Sequence, residues 1–185
     1  VRIRIAIWRG EYKMLLKWKW NFISIWNKCD TVKQNIQNNV QIFTNRLQKN
    51  IKHLRRWLNR ENIHCYRIYD ADIPEYNLAI DIYQGEKRWI NVQEYAAPKH
   101  IDEHKTHTRQ QAALSVIKEV MEIPDEQLFF KVRRQQKGLA QYQKLADNKT
   151  FYQVMEGSYS FLVNFQDYLD TGLFLEHRNT RQLLK

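Results

Sequence analysis

The chain has 185 residues, 43% of them apolar, with only five glycines and three prolines. That length suits one domain or one domain with an appendage, and the composition excludes a linker, a collagen-like repeat and a low-complexity chain. Thirty Lys and Arg against twenty Asp and Glu leave a net charge of +10; a phosphate-rich partner is the natural reading, and an anionic membrane surface is the competing one.

Residues 1–28 open with Val1-Arg2-Ile3-Arg4-Ile5-Ala6-Ile7, an alternation that reads as a half-buried strand. Lys13, Lys17, Lys19 and Lys28 then interleave with Trp8, Tyr12, Trp18, Trp20, Phe22 and Trp26. This mixture suits base stacking, a membrane interface, or an edge hairpin of a preceding domain, and we favour the hairpin. Asp30 or Thr31 can cap a helix start. Ile36, Val40, Phe43, Leu47, Ile51, Leu54 and Leu58 follow at steps of three and four, predicting a long amphipathic helix. Its other faces carry Lys33, Arg46, Lys49, Lys52, Arg55, Arg56 and Arg60. A solvated surface is the first reading of that run and a phosphate-contacting one the second.

Three strands are predicted next. Ile63–Tyr69 is broken by Asp70-Ala71-Asp72-Ile73-Pro74; Tyr76–Tyr83 alternates; Arg88–Tyr95 returns antiparallel after a turn at Gly85. Pro98 marks a helix start, and Ile101 to Val120 carries a second apolar stripe ending at Ile123-Pro124. Leu128–Arg133 reads as a strand, followed by a basic, amide-rich loop through Lys144. Phe151–Glu156 and Tyr159–Phe165 read as paired strands across Gly157-Ser158. The last segment starts as a strand at Asn164, turns at Asp170-Thr171-Gly172 and enters a basic helix. Together these predict an α+β fold: a mostly antiparallel sheet, a long N-terminal helix and one crossing helix.

The candidate chemistry is sparse. Cys29 and Cys65 have neither metal spacing nor the number for a disulfide scaffold, and read as thiols in a reducing compartment. No apolar run reaches the roughly 18 residues of a membrane helix, and no signal-peptide pattern opens the chain; we expect a cytoplasmic protein off the membrane. His100-Ile101-Asp102-Glu103-His104 matches the H-x-x-E-H zinc pattern, with His107 a turn on. Lys99, Lys105 and Arg109 around it oppose a divalent cation, so we assign no metal site. Cys65 and His64 are strand neighbours pointing to opposite faces, and no serine lies in a nucleophile elbow, so no catalytic residue is assigned. No glycine-rich cofactor loop occurs. The best RNA-binding candidates are Arg133, Arg134, Lys137, Tyr142 and Lys144, with Lys99 and Lys105: cations for phosphates and one ring for stacking.

Four blocks carry a family resemblance: Cys65–Asn77, Val92–Lys99, Gln141–Leu145, and Asp167-Tyr168-Leu169-Asp170-Thr171-Gly172-Leu173-Phe174-Leu175-Glu176-His177-Arg178. From about Thr44 onward the chain resembles the bifunctional ribosomal RNA large subunit methyltransferase K/L family. The resemblance implies two S-adenosylmethionine (SAM)-dependent guanine methyltransferases on 23S rRNA, an N-terminal one for N2 and a C-terminal one for N7. It further implies that this chain is the part preceding the C-terminal Rossmann domain, with SAM a cofactor of the full-length protein and not of this segment. Residues 1–30 would then be a diverged end of a preceding domain, 31–175 an RNA-positioning domain, and 176–185 the start of a linker helix. Thr171, Gly172, Phe174, His177 and Arg178 would lie against the cofactor side of the catalytic domain. His100 and Glu103 depart from the family's block there, and Glu176 stands where Asp is expected. The alternative is a stand-alone RNA-binding or ribosome-associated module without catalysis.

Overall fold

The computed structural model describes residues 34–96, 103–134 and 144–183. By internal contacts the chain divides into residues 1–41 and Ile42–Lys185. The second unit is described below; of the first, residues 34–41 are helical.

Helix α1 spans residues 34–60. Its predicted apolar steps hold: Phe43, Leu47 and Leu58 are buried, while Ile51 and Leu54 are half-buried. Asn62, at φ +51°, terminates the helix, and the Ile63 N–H reaches back to the Leu58 carbonyl at 2.9 Å. This satisfies a carbonyl that the last turn would otherwise leave open. Helix α2, Glu103–Met121, ends the same way through Glu122, at φ +53°. There the Ile123 N–H bonds the Lys118 carbonyl at 3.2 Å, and Pro124 prevents further helix.

The main sheet has the order β1-β2-β3-β4. Its strands are Cys65–Asp70, Leu78–Gln84, Arg88–Tyr95 and Leu128–Arg133. The first two pairings are antiparallel, including the expected hairpin across Gly85, and β3 pairs with β4 in parallel. The parallel pair follows from connectivity, because α2 carries the chain from the end of β3 back to its starting side. β1 is bulged between Arg67 and Tyr69. A separate hairpin joins β5, Tyr152–Glu156, to β6, Tyr159–Val163.

One sheet face carries Leu78, Ile80, Ile82, Ile90 and Val92, each at most 3% exposed. Helix α1 packs at the β1 side of the sheet. Phe43 meets the Tyr69 ring edge-on at 5.2 Å and stacks on Tyr76 at 4.5 Å. Asn50 donates to the Ile68 carbonyl at 2.9 Å. The stripe of α2 that sequence periodicity marks, with Ala113, Val116 and Ile117, is buried too.

The end of the last predicted strand is corrected by the structure. β6 stops at Val163, and Asn164 does not continue it. Its side-chain carbonyl accepts from the Gln166 and Asp167 N–H groups, both at 2.8 Å. A short polar side chain that captures its own following backbone outcompetes the strand ladder. Residues 164–174 consequently run as an irregular segment, then a 3-10 turn Leu175–His177 leads into α3, Arg178–Leu183.

Candidate functional site

The second face of the sheet changes character along its strands. Register places Cys65, Tyr83 and Trp89 in one row, then Arg67, Asp81, Asn91 and Phe129. Asp70, Ala79, Gln93 and Lys131 follow, with Tyr95 beside Arg133 last. The apolar end is covered: Cys65, Tyr83, Val154, Val163, Phe165 and Leu173 form one buried cluster, with Trp89, Phe129 and Tyr152 packed against it. Phe165 stacks on Phe129 at 4.8 Å and lies 5.2 Å from Tyr152. The polar end meets the irregular segment after β6, and a pocket forms where they join.

That segment is held from several sides. The Asp167 carboxylate accepts from the Asn148 N–H at 2.7 Å, the Lys149 N–H at 2.9 Å and the Asn164 amide at 2.8 Å. Gln93 donates to the Leu169 carbonyl at 3.0 Å, and the Lys131 ammonium donates to the Tyr168 carbonyl. The Thr171 hydroxyl meets the Tyr83 hydroxyl at 3.0 Å. Below it Arg67 grips both oxygens of Asp81, at 2.7 and 3.1 Å, and reaches Asp70 at 3.2 Å. Tyr95 donates to the other Asp70 oxygen at 2.9 Å.

The resulting cavity is about 160 Å³, lined by Arg67, Asp81, Tyr83, Gln93, Arg133, Asp170 and the residues from Thr171 to Glu176. Burial raises the Asp81 carboxyl above its usual range, and the Arg67 guanidinium opposes that rise. The same bond holds Arg67 more firmly protonated. Burial pushes Lys131 down to about 8, with Asp170 and Asp167 resisting. Gly172 sits at φ +88°, a conformation glycine adopts without the penalty a Cβ brings.

The structure brings some expected site residues together and separates others. Thr171, Gly172, Phe174 and Arg133 line the one pocket. Phe174 is 48% exposed, and His177 stands edge-on to it at 6.0 Å. Arg178 turns to α1, its guanidinium 5.2 Å from the Trp57 ring. Arg133 bonds Gln93 at 3.4 Å, Arg134 is exposed beyond β4, and Lys105 is exposed on the first turn of α2. Lys144 pairs with Asp147. Lys99, Lys137 and Tyr142 lie outside the described residues, as do His100 and Cys29. His104 and His107 are exposed on α2, and among the described residues no group of three or more His, Cys, Asp or Glu could hold a metal.

Residue-by-residue reading missed Arg67, Asp81, Gln93 and Lys131. The signal was a charged residue within an otherwise apolar strand, Asp81 in β2 and Lys131 in β4. Chemically the pocket suits recognition: a fixed guanidinium–carboxylate pair, ordered backbone and an exposed ring. The nearby Cys65 thiol is no nucleophile, since burial raises it to about 12.

No protein-family model matches the chain. Among solved structures, SMU.776, assigned as a methyltransferase and crystallised with SAH, aligns with a TM-score of 0.54 at 18% identity. A SAM-dependent methyltransferase assignment from Streptococcus mutans aligns at 0.52 and 16%. Each alignment covers 78% of this chain and 35% of the other. The fold is therefore an α+β segment shared with larger chains assigned as methyltransferases.

Curated sequences narrow this. The chain is 59% identical over 143 residues to the Ribosomal RNA large subunit methyltransferase K/L of Allochromatium vinosum, covering 77% of this chain and 20% of that protein. It is 54% identical over 145 residues to the protein of that name from Methylococcus capsulatus, covering 78% and 20%. For Pseudoalteromonas atlantica the figures are 49% over 165 residues, 89% and 23%. The chain is homologous to a segment of the ribosomal RNA large subunit methyltransferase K/L family, and spans about one fifth of the length of these relatives.

Proposed function

We propose that this chain is the RNA-positioning segment of a SAM-dependent 23S rRNA guanine methyltransferase, cytoplasmic and acting beside catalytic domains of the same polypeptide. On this reading the adjoining catalytic domain methylates guanine N7, with N2 chemistry in the partner domain. The observation that carries it is the shared pocket: Arg133, from the basic strand end, lines the same cavity as Thr171, Gly172 and Phe174 of the segment leading to α3. On this reading an RNA-facing cation and a cofactor-side turn meet at one place.

At about 160 Å³ the cavity is smaller than the roughly 300 Å³ and upward of small-molecule sites. These residues therefore do not hold a whole SAM molecule; they form one wall. When bound to the full-length protein, SAM supplies the methyl group on a sulfonium. Displacement at that carbon depends on alignment more than on proton transfer. The work of this segment is alignment: Arg133 presents positive charge, Arg67 paired with Asp81 fixes the pocket wall, Phe174 presents a ring, and Lys131 with Gln93 keeps the connecting backbone in place.

Two measurements test this. Binding of the chain to an rRNA-derived hairpin should weaken steeply with salt, and replacing Arg133, Arg134 and Lys137 by alanine should flatten the log–log salt slope by about 2.7. An unchanged slope removes this strand end from the RNA face. Calorimetric titration with SAM should show no tight binding to residues 1–185; tight binding would overturn the division of labour proposed here.

A further inference from the structure

A second basic surface lies on helix α1, outside the lining of the pocket. Arg46, Lys49, Lys52, Arg55, Arg56 and Arg60 are all exposed, and no Asp or Glu occurs between residues 34 and 60. At about 100° per residue, Arg46, Lys49, His53, Arg56 and Arg60 fall in a sector roughly 80° wide, with Lys52 about 40° beyond it. The buried Phe43, Leu47 and Leu58 occupy the opposite side. The row from Arg46 to Arg60 is about 21 Å long at 1.5 Å per residue.

Such a ridge is costly for the free helix. Lys52 and Arg56, and Arg56 and Arg60, are like charges one turn apart, an unfavourable spacing. Among the described residues the only ion pair recorded from this ridge is Arg60 with Glu61, at 2.8 Å. A face kept only for solubility mixes signs along the helix. We infer that this ridge is a binding surface for the phosphate backbone of structured, duplex RNA, a contact additional to the pocket and resting on the RNA reading above.

Three observations favour RNA in this form. The ridge is a straight run of cations with a lone imidazole, His53, within it and Trp57 at its edge under the Arg178 guanidinium; bases have no row of rings to stack on, whereas phosphates have a row of charges. The apolar face of α1 is buried in the domain, so the helix cannot lay that face into a bilayer. The ridge also adjoins the pocket. His53 and Asn50 line a groove of about 300 Å³ with Arg67, and Arg67 lines the pocket as well. Asp70 and Asp72 in that groove keep phosphates on the ridge and off the groove floor.

The test is fluorescence anisotropy with a generic-sequence RNA hairpin over a salt series, on the 185-residue chain and on Lys49→Gln/Arg56→Gln. The variant should bind tens of fold more weakly near 0.1 M salt, with a slope shallower by about 1.8. Its melting temperature should be unchanged or higher, because like-charge repulsion is relieved. Normal affinity and slope in this variant, with RNA binding intact, overturns the ridge and leaves the pocket reading standing. Absence of RNA binding by the parent chain overturns both. Binding to phosphatidylglycerol vesicles that the variant loses while its RNA binding is unaltered makes the ridge a lipid surface and also overturns the inference.

Discussion

Lys131 is 8% exposed, and its ammonium is held against the backbone carbonyls of Tyr168 and Leu169. Burial lowers its pKa from 10.5 to about 8. Between these values the unfolded chain binds the proton that the folded chain has released. Stability therefore rises with pH across that window, and below about pH 8 the cost of the buried charge is carried in full. For a shift of this size the gain from pH 7 to pH 9 is about 1.4 kcal/mol. Replacing Lys131 by Met removes the titrating group while keeping a long apolar stem. The Cys65 thiol, raised to about 12, titrates later in the folded than in the unfolded state and works against stability above about pH 9. It is common to both proteins, so the difference between them isolates Lys131. Urea unfolding at a series of pH values provides the assay. The parent-minus-variant stability should climb by about 1.4 kcal/mol between pH 7 and 9. A flat difference would mean that Lys131 is solvated and that the 168–170 segment is not clamped as described.

Two further perturbations probe the same framework. A Cβ at Gly85 would stand 2.1 Å from the Gln153 carbonyl oxygen, a backbone atom that cannot swing away. Gly85→Ala should destabilise by about 3 kcal/mol by forcing β5 off the sheet; thermal melting that matches the parent would disprove the close approach. Tyr83→Phe deletes the hydroxyl that meets Thr171, both residues being buried. Thr171 retains the Leu173 carbonyl at 3.4 Å as acceptor, so the loss should be about 1 kcal/mol. Hydrogen exchange should show faster opening of residues 171–173, and unaltered protection there would place the anchor elsewhere.

Where local pattern is strong, the chain announces its own structure. The three- and four-residue steps from Phe43 to Leu58 define the buried stripe of α1, and β3 and β4 coincide with the expected strands Arg88–Tyr95 and Leu128–Arg133. The Asp-Thr-Gly block is marked by its residues, yet its pocket is not, because the other wall comes from strands that precede it by roughly 35 to 100 residues. Gly85 shows the limit well. As a turn residue it is legible in sequence, but the reason for glycine there is the β5 backbone packed against it. Parallel pairing of β3 with β4 likewise depends on how α2 crosses, which strand composition does not encode. Asp81 and Lys131 read locally as blemishes in apolar strands. Register aligns them on one face, where Arg67 neutralises the first and backbone carbonyls hold the second. Sequence determined which segments bury an apolar side, since periodicity and hydrophobicity are local. The tertiary structure alone decided which polar groups meet, since a charge is stable inside only where distant elements supply its partner.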